Sequence, residues 1–251
     1  WKLSSNWRMH ETELFITKLF NDYLAGVGNT LTGIVGMAPE PRPWANFVTM
    51  QIVVALIIII LFAILKPRLS AERPGKLQHT SELIYDFLRE QAHEQVGHGS
   101  RHYVAYFGTI FIFILFSNLI GVIPGMEAPT MVPSVPAGCA IATFFYYNVV
   151  GVQANGLFKY LAHFAGPMPA LAPLMIPIEI VSHLARPLSL TIRLFANMYA
   201  GEQVTMVFLK LTFLLVPAVF MGLHIFVSFL QAYIFMLLTM MYVAGAVSHE
   251  H

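Results

Sequence analysis

The chain is 251 residues long, 57% hydrophobic and only 11% Asp, Glu, Lys or Arg, with a mean hydropathy of +0.67, whereas a soluble domain carries about 25% charged residues. So few charges cannot cover a water-facing surface, so much of the exterior must meet lipid, and a net charge of +1 gives no attraction to nucleic acid. The single cysteine, Cys139, excludes an intrachain disulfide framework.

The chain begins at Trp1 rather than Met, which reads as a trimmed start, and residues 1–20 lack the apolar core of a signal peptide. Residues 1–46 read as an external N-terminal segment. It holds a short amphipathic helix around 10–24 and then a loop marked by Gly26, Gly28, Gly33, Gly36 and the string PEPRP at 39–43. The first transmembrane helix is 47–65, which is uncharged and includes ALIIIILFAIL. Nineteen helical residues rise about 28 Å, close to the ~30 Å hydrocarbon core. Lys66-Pro67-Arg68 stop it. With Arg73 and Lys76 they form the basic flank expected on the cytoplasmic side, so the N-terminus lies outside. Lys2, Arg8, Lys18 and Arg42 weigh against that orientation, but only Arg42 is near the span.

Residues 66–102 form a cytoplasmic-side linker with an amphipathic helix over 77–98. Leu77, Ser81, Ile84, Leu88 and Ala92 recur at helical spacing among Glu82, Asp86, Arg89, Glu90 and Glu94. Residues 103–158 read as a transmembrane hairpin. The run 103–123 returns outward, the loop 124–137 has four prolines, Glu127 and no Lys or Arg, and 138–158 goes back in to end at Lys159. A loop at 163–170 leads to the last region, 159–251, read as two long helices. From Leu171 to Val216 there is no clear stop apart from Pro173, Pro177 and Pro187. Forty-six helical residues would rise roughly 69 Å, more than twice the hydrocarbon thickness. Pro217 restarts a second run to Val247. One solution is an extra span with a loop near Pro187, whose flanking pieces would be short and polar. The preferred one is a strongly inclined hairpin. The expected fold is therefore an all-α, multi-pass membrane protein of about five membrane helices with an amphipathic surface helix and a cytoplasmic C-terminus.

The segment 171–216 carries Glu179, His183, Arg186, Arg193, Asn197, Glu202, Gln203 and Lys210. A charge at the bilayer centre costs about 2.5–3.5 kcal/mol on insertion scales and is kept when it faces a partner or a water-filled cavity. Glu179, His183, Arg186, Arg193 and Asn197 are separated by 4, 3, 7 and 4 residues, which puts them on one stripe with Leu190 in the gap. Glu202 lies roughly 140° away, so the helix presents two polar faces. On the next helix His224, Ser228 and Gln231 repeat at 4 and 3. Polar stripes also bind helix to helix, but an arginine cannot shed its charge and needs an anion or water. One turn from Arg193 stand only Ser189, Leu190, Ala196 and Asn197, so its counter-charge is expected on another chain.

The stretch ARPLSLTIRLFANMYAGE (185–202) resembles the signature of the F-type ATP synthase a subunit family, close to SLxxRLFxNxxAGE. HIFVSFLQAYIFMLLTMMYVAGA (224–246) is similar to the family's final helix, and FILFSNLIGVIP (113–124) to its FxxxNLxGxxP element. The likeness covers about two thirds of the chain, is most specific over 179–246 and weak over 1–45. It implies a multi-pass stator subunit of the bacterial inner membrane, standing beside a ring of c subunits that each carry one buried carboxylate. The b-type peripheral stalk and the rest of the synthase are its further partners, and no cofactor or metal is implied. By matching position Arg193 is the arginine facing the ring. Asn197, Glu202, His224 and Gln231 match the half-channel from the outside, and Glu179 and Ser182 the half-channel to the inside, to which the stripe adds His183 and Arg186. Two departures are visible. Ala196 sits where Gly is frequent, and Gly121 stands where some members place an acid, which puts more of the outer path on Glu202 and Asn118.

A stand-alone secondary transporter or channel is the main rival reading, but such folds usually show repeated halves, and no internal repeat is visible here. An intramembrane hydrolase would need a nucleophile facing a base, and adjacent Ser182 and His183 do not face each other on a helix. His93-Glu94-Gln95-Val96-Gly97 is a near miss of HExxH with glycine at the second His. It reads, with His98, His102 and the tail His249-Glu250-His251, as solvated histidines. Lys210 reads as a snorkelling residue near the outer interface.

Overall fold

The computed structural model describes all residues except 1–12, 35, 37, 71–74, 98, 124, 157–159, 161–171, 212–214 and 248–251. Among the described residues every regular element is helical: α1 Phe15–Ile34, α2 Asn46–Leu65, α3 Lys76–Val96, α4 Val104–Leu119, α5 Ser134–Asn155, α6 Ala172–Leu211 and α7 Leu215–Val247. Short 3-10 turns at Lys66–Arg68, Ser100–His102, Ile120–Val122 and Pro129–Met131 join or extend them. Among the described residues four segments are long and apolar enough to cross a membrane: Asn46–Arg68, Val104–Val122, Ser134–Asn155 and Val216–Val247. An Ile-rich stretch such as α2 is a modest helix former in water, but in hydrocarbon its backbone groups have no other partners than each other. α6 is not among the four, since its 40 residues carry Glu179, Arg186, Arg193, Glu202 and Lys210.

The N-terminal helix differs from expectation. It runs from Phe15 to Ile34, through Gly26, Gly28 and Gly33, rather than ending near residue 24. These glycines read as breakers, yet Gly28 is a contact surface: a Cβ there would stand 2.6 Å from Pro43 Cγ and 2.9 Å from Trp44 Nε1. Trp44 Nε1 donates to the Leu24 carbonyl at 2.9 Å, and the Asn21 amide brackets the Trp44 backbone, accepting from its N–H at 2.9 Å and donating to its carbonyl at 3.1 Å. Arg42 pairs with Glu13. The PEPRP string thus folds back along α1 instead of trailing from it.

The surface helix forms close to where its periodicity predicts. Leu88 and Ala92 are buried, and Tyr233 of α7 donates to Gln91 at 2.9 Å. Gly97, at φ 77°, ends the helix in a conformation a side chain would strain. Buried Gln78 is tied to Ser70, accepting from its N–H and donating to its carbonyl at 2.9 and 3.0 Å.

The last third contains no loop near Pro187: α6 is continuous through both Pro177 and Pro187. Each proline deletes one backbone bond, normally a cost of about 3 kcal/mol inside a helix, and the Pro187 carbonyl takes the Thr191 hydroxyl at 2.8 Å. α6 and α7 pack antiparallel at a steady register, with Asn197 meeting Gln231, Met198 meeting Ser228, Gly201 meeting His224 and Phe208 stacking on Phe220. The main core lies where α4, α5, α6 and α7 meet, around Phe107, Ile114, Tyr147, Leu190, Leu194, Met198, Phe235 and Met240. Val181, Leu184, Leu188 and Ile192 form an exposed apolar stripe on α6. The expected loop at 163–170 lies outside the described residues.

Candidate functional site

Polar side chains gather at two places along α6, with Arg193 between them. At 1.5 Å per residue, Glu202 is roughly 14 Å along the axis on one side and Glu179 roughly 21 Å on the other. The stripe predicted from spacing lies at the border of the packed face: Glu179, His183, Arg186 and Arg193 are half-buried, Leu190 is buried and Asn197 is exposed.

The first cluster joins α4, α6 and α7. Asn197 Nδ2 donates to Gln231 Oε1 at 2.8 Å. Asn118, with no exposed surface, donates Nδ2 to the Ser228 carbonyl at 3.4 Å and accepts from Thr130 Oγ1 at 2.7 Å. His224 is only 8% exposed and lies directly on Gly201, where a Cβ would come within 2.8 Å of Nδ1. Glu202 is the neighbour of that glycine and half-buried. Its Oε2 and the Nε2 of His224 are buried with no hydrogen-bond partner among the described residues. Native structures rarely leave such atoms unsatisfied, and those they do leave call for an explanation. Here both atoms belong to groups that accept and release protons.

The second cluster joins α5, α6 and α7. Tyr147 OH lies 2.9 Å from His183 Nδ1, and their rings stack 5.7 Å apart at 17°. Glu179 Oε1 is 3.9 Å from Arg186 Nη2 and 4.0 Å from His183 Nε2. The Arg186 guanidinium sits over the Tyr147 and Tyr242 rings at 5.9 and 5.3 Å. Ser182, half-buried on the same helix, makes none of these contacts. The two tyrosines were not among the expected residues. Tyr146, Tyr147 and Asn148 are a polar run inside an otherwise apolar span, and that is the signal that would have found one of them.

Arg193 belongs to neither cluster. Its Nη2 lies 3.4 Å from Ser189 Oγ, and no carboxylate among the described residues is within ion-pair distance of it. A permanent cation is thus held on α6 between the two clusters, with no anion beside it among the described residues. Among the described residues no three His, Cys, Asp or Glu side chains are grouped to hold a metal ion. His93 is in the last turn of α3, while His98 and residues 249–251 lie outside the described residues.

The sequence model of the family described as ATP synthase A chain matches residues 47–244. The chain is 84% identical to ATP synthase subunit a of Solibacter usitatus (strain Ellin6076) over 233 residues, covering 93% of this chain and 100% of that one. It is 48% identical to ATP synthase subunit a of Koribacter versatilis (strain Ellin345), over 95% of this chain and 98% of that one. It is also 48% identical to ATP synthase subunit a 1 of Syntrophotalea carbinolica (strain DSM 2380 / NBRC 103641 / GraBd1), over 75% and 80%. A match spanning most of the chain, with relatives covered over nearly their full length, places the chain in the ATP synthase A chain family, the ion-translocating stator subunits of F-type ATP synthases.

Proposed function

We propose that the two polar clusters are the two offset half-channels of this a subunit and that Arg193 is the gate between them. The observation that carries the reading is the position of Arg193, a half-buried cation without an anion of its own chain among the described residues. The partner that fits is a carboxyl on the c ring passing along α6. A carboxyl facing lipid is neutral, because desolvation opposes its charge. Beside Arg193 the ionised form is favoured and the proton leaves. A protonated site therefore cannot slip directly from one half-channel to the other without losing its proton, and must travel the long way with the ring.

Protons enter from outside through Asn118, Asn197, Glu202, His224 and Gln231, and leave to the inside past Glu179, Ser182, His183 and Arg186. Each elementary charge crossing 100 mV releases about 2.3 kcal/mol, which the ring delivers as rotation. α6 at 40 residues is roughly 60 Å long. To lie beside the ring in a ~30 Å core it must be strongly inclined; paired with α7 it forms an inclined hairpin and supplies the fifth membrane helix. The basic flank of α2 puts the N-terminus outside and the C-terminus in the cytoplasm of a bacterial inner membrane, and b-type stalk subunits hold the chain as stator.

The test is Arg193→Ala in the complete synthase. ATP-driven proton pumping into membrane vesicles should vanish while the a subunit still co-purifies with the ring. Normal coupled pumping by that variant would remove the gate.

A further inference from the structure

We propose that Glu127 is the acid at the outer mouth of the proton path, delivered towards Glu202 by a loop that occupies the space left by Gly121. The proposal rests on reading the Glu202 cluster as the outer half-channel.

The loop after α4 turns back on itself. A Cβ at Gly121 would stand 2.8 Å from Ala128 Cβ and 3.0 Å from the Ala128 backbone nitrogen. Backbone cannot yield as a side-chain tip can, so a side chain at 121 and this loop path exclude each other. The closeness seats Ala128, 2% exposed, and Thr130, wholly buried, and lets Thr130 donate to Asn118. The Pro129–Met131 turn packs against α6. The residue just before this seated stretch is Glu127, which is half-buried. Its Oε2 accepts from Asn46 Nδ2 at 3.4 Å, and Asn46, 5% exposed, accepts in turn from the Leu14 N–H at 3.4 Å. The carboxyl is thus placed from two sides, by α2 and by the seated loop, and Thr130 of that loop is bonded to Asn118 of the Glu202 cluster.

Among the described residues the charged and titratable groups on the elements that meet this loop include Glu202 on α6, His224 on α7 behind Glu202, and the Glu13–Arg42 pair next to Leu14. Two carboxyls within reach of each other tend to hold one proton between them. The outer one meets water and collects the proton; the inner one passes it on. The site an acid at 121 would have filled from the 3-10 turn after α4 is filled here from the loop.

The experiment uses the complete synthase in liposomes, with ATP synthesis driven at fixed membrane potential while the outer pH is varied. Glu127→Gln should slow synthesis about tenfold at neutral outer pH, the low end of electrostatic focusing on an association rate. Its half-maximal rate should move about one pH unit lower, the same factor in proton concentration. Glu127→Asp should stay close to the unmodified enzyme, and so should Asp22→Asn, an exposed acid on α1. A normal Glu127→Gln profile beside a slow Glu202→Gln would overturn this proposal alone; if Glu202→Gln were normal too, the outer-path reading would fall with it. Equal loss in Glu127→Gln and Glu127→Asp without a pH shift would make the residue a packing element, and an equal shift in Asp22→Asn would make the effect one of general surface charge. Either result also overturns the proposal.

Discussion

The two polar clusters on either side of Arg193 are built from different chemistry. Around Glu202 the groups are mostly neutral amides and hydroxyls from α4, α6 and α7: Gln231 is 3% exposed and Asn118 and Ser228 are wholly buried. Around Glu179 the groups are charged and aromatic, with Arg186, Glu179 and His183 half-buried and flanked by Tyr147 and Tyr242. A charge can be held in the second place because it is neutralised within the cluster. In the first, a carboxyl oxygen and an imidazole nitrogen lack hydrogen-bond partners among the described residues, and on the proposed reading their protons are the exchangeable element. The proposed function then expects the amide-rich side to be limited by single proton-bearing atoms and the charged side by the geometry of an ion-pair network.

Beyond the proposed gate, the largest expected effect is at Glu202. Glu202→Gln should slow proton uptake about a hundredfold, the scale of losing one positioned acid–base group. Lys210→Gln, at a position outside the proposed path, should leave uptake nearly unchanged. Proton uptake by the two variants in the complete synthase makes the comparison, and equal effects would break the assigned path.

Next comes Gly201→Ala. The added methyl would stand 2.8 Å from His224 Nδ1, so the ring must swing away. Misplacing a proton carrier by about an ångström costs on the order of tenfold to a hundredfold, and proton flux should fall with the complex still assembled. Normal flux would show that the seat of His224 on Gly201 is incidental.

The smallest effect is expected on the charged side. Tyr147→Phe removes one hydrogen bond to His183, worth about 1 kcal/mol, so ATP-driven pumping should change about fivefold or less. A loss as large as that of Glu202→Gln would erase the contrast between the clusters.

Some of this was legible from residue order alone. The spacing of Glu179, His183, Arg186, Arg193 and Asn197 placed them on one stripe, and the structure keeps that stripe at the edge of the packed face. The absence of a carboxylate one turn from Arg193 was also visible, because a helix determines its own i±3 and i±4 neighbours. Boundaries were weaker where one residue type has two uses. The glycines of α1 read as breakers, but Gly28 serves as contact surface for Pro43 and Trp44. At Pro187 a loop was only the disfavoured alternative, and the helix runs through it without a break.

Hydrophobicity and helical periodicity determined that this chain is an all-α membrane protein, and which face of α6 carries its charges. Only the tertiary structure decided which groups meet across the helices: Tyr147 and Tyr242 over Arg186, Thr130 on Asn118, and Ala128 brought in beside Gly121. The reason is physical. Periodicity describes the direction a side chain takes from its own helix axis, whereas the occupant of the opposite face depends on packing between segments far apart in sequence.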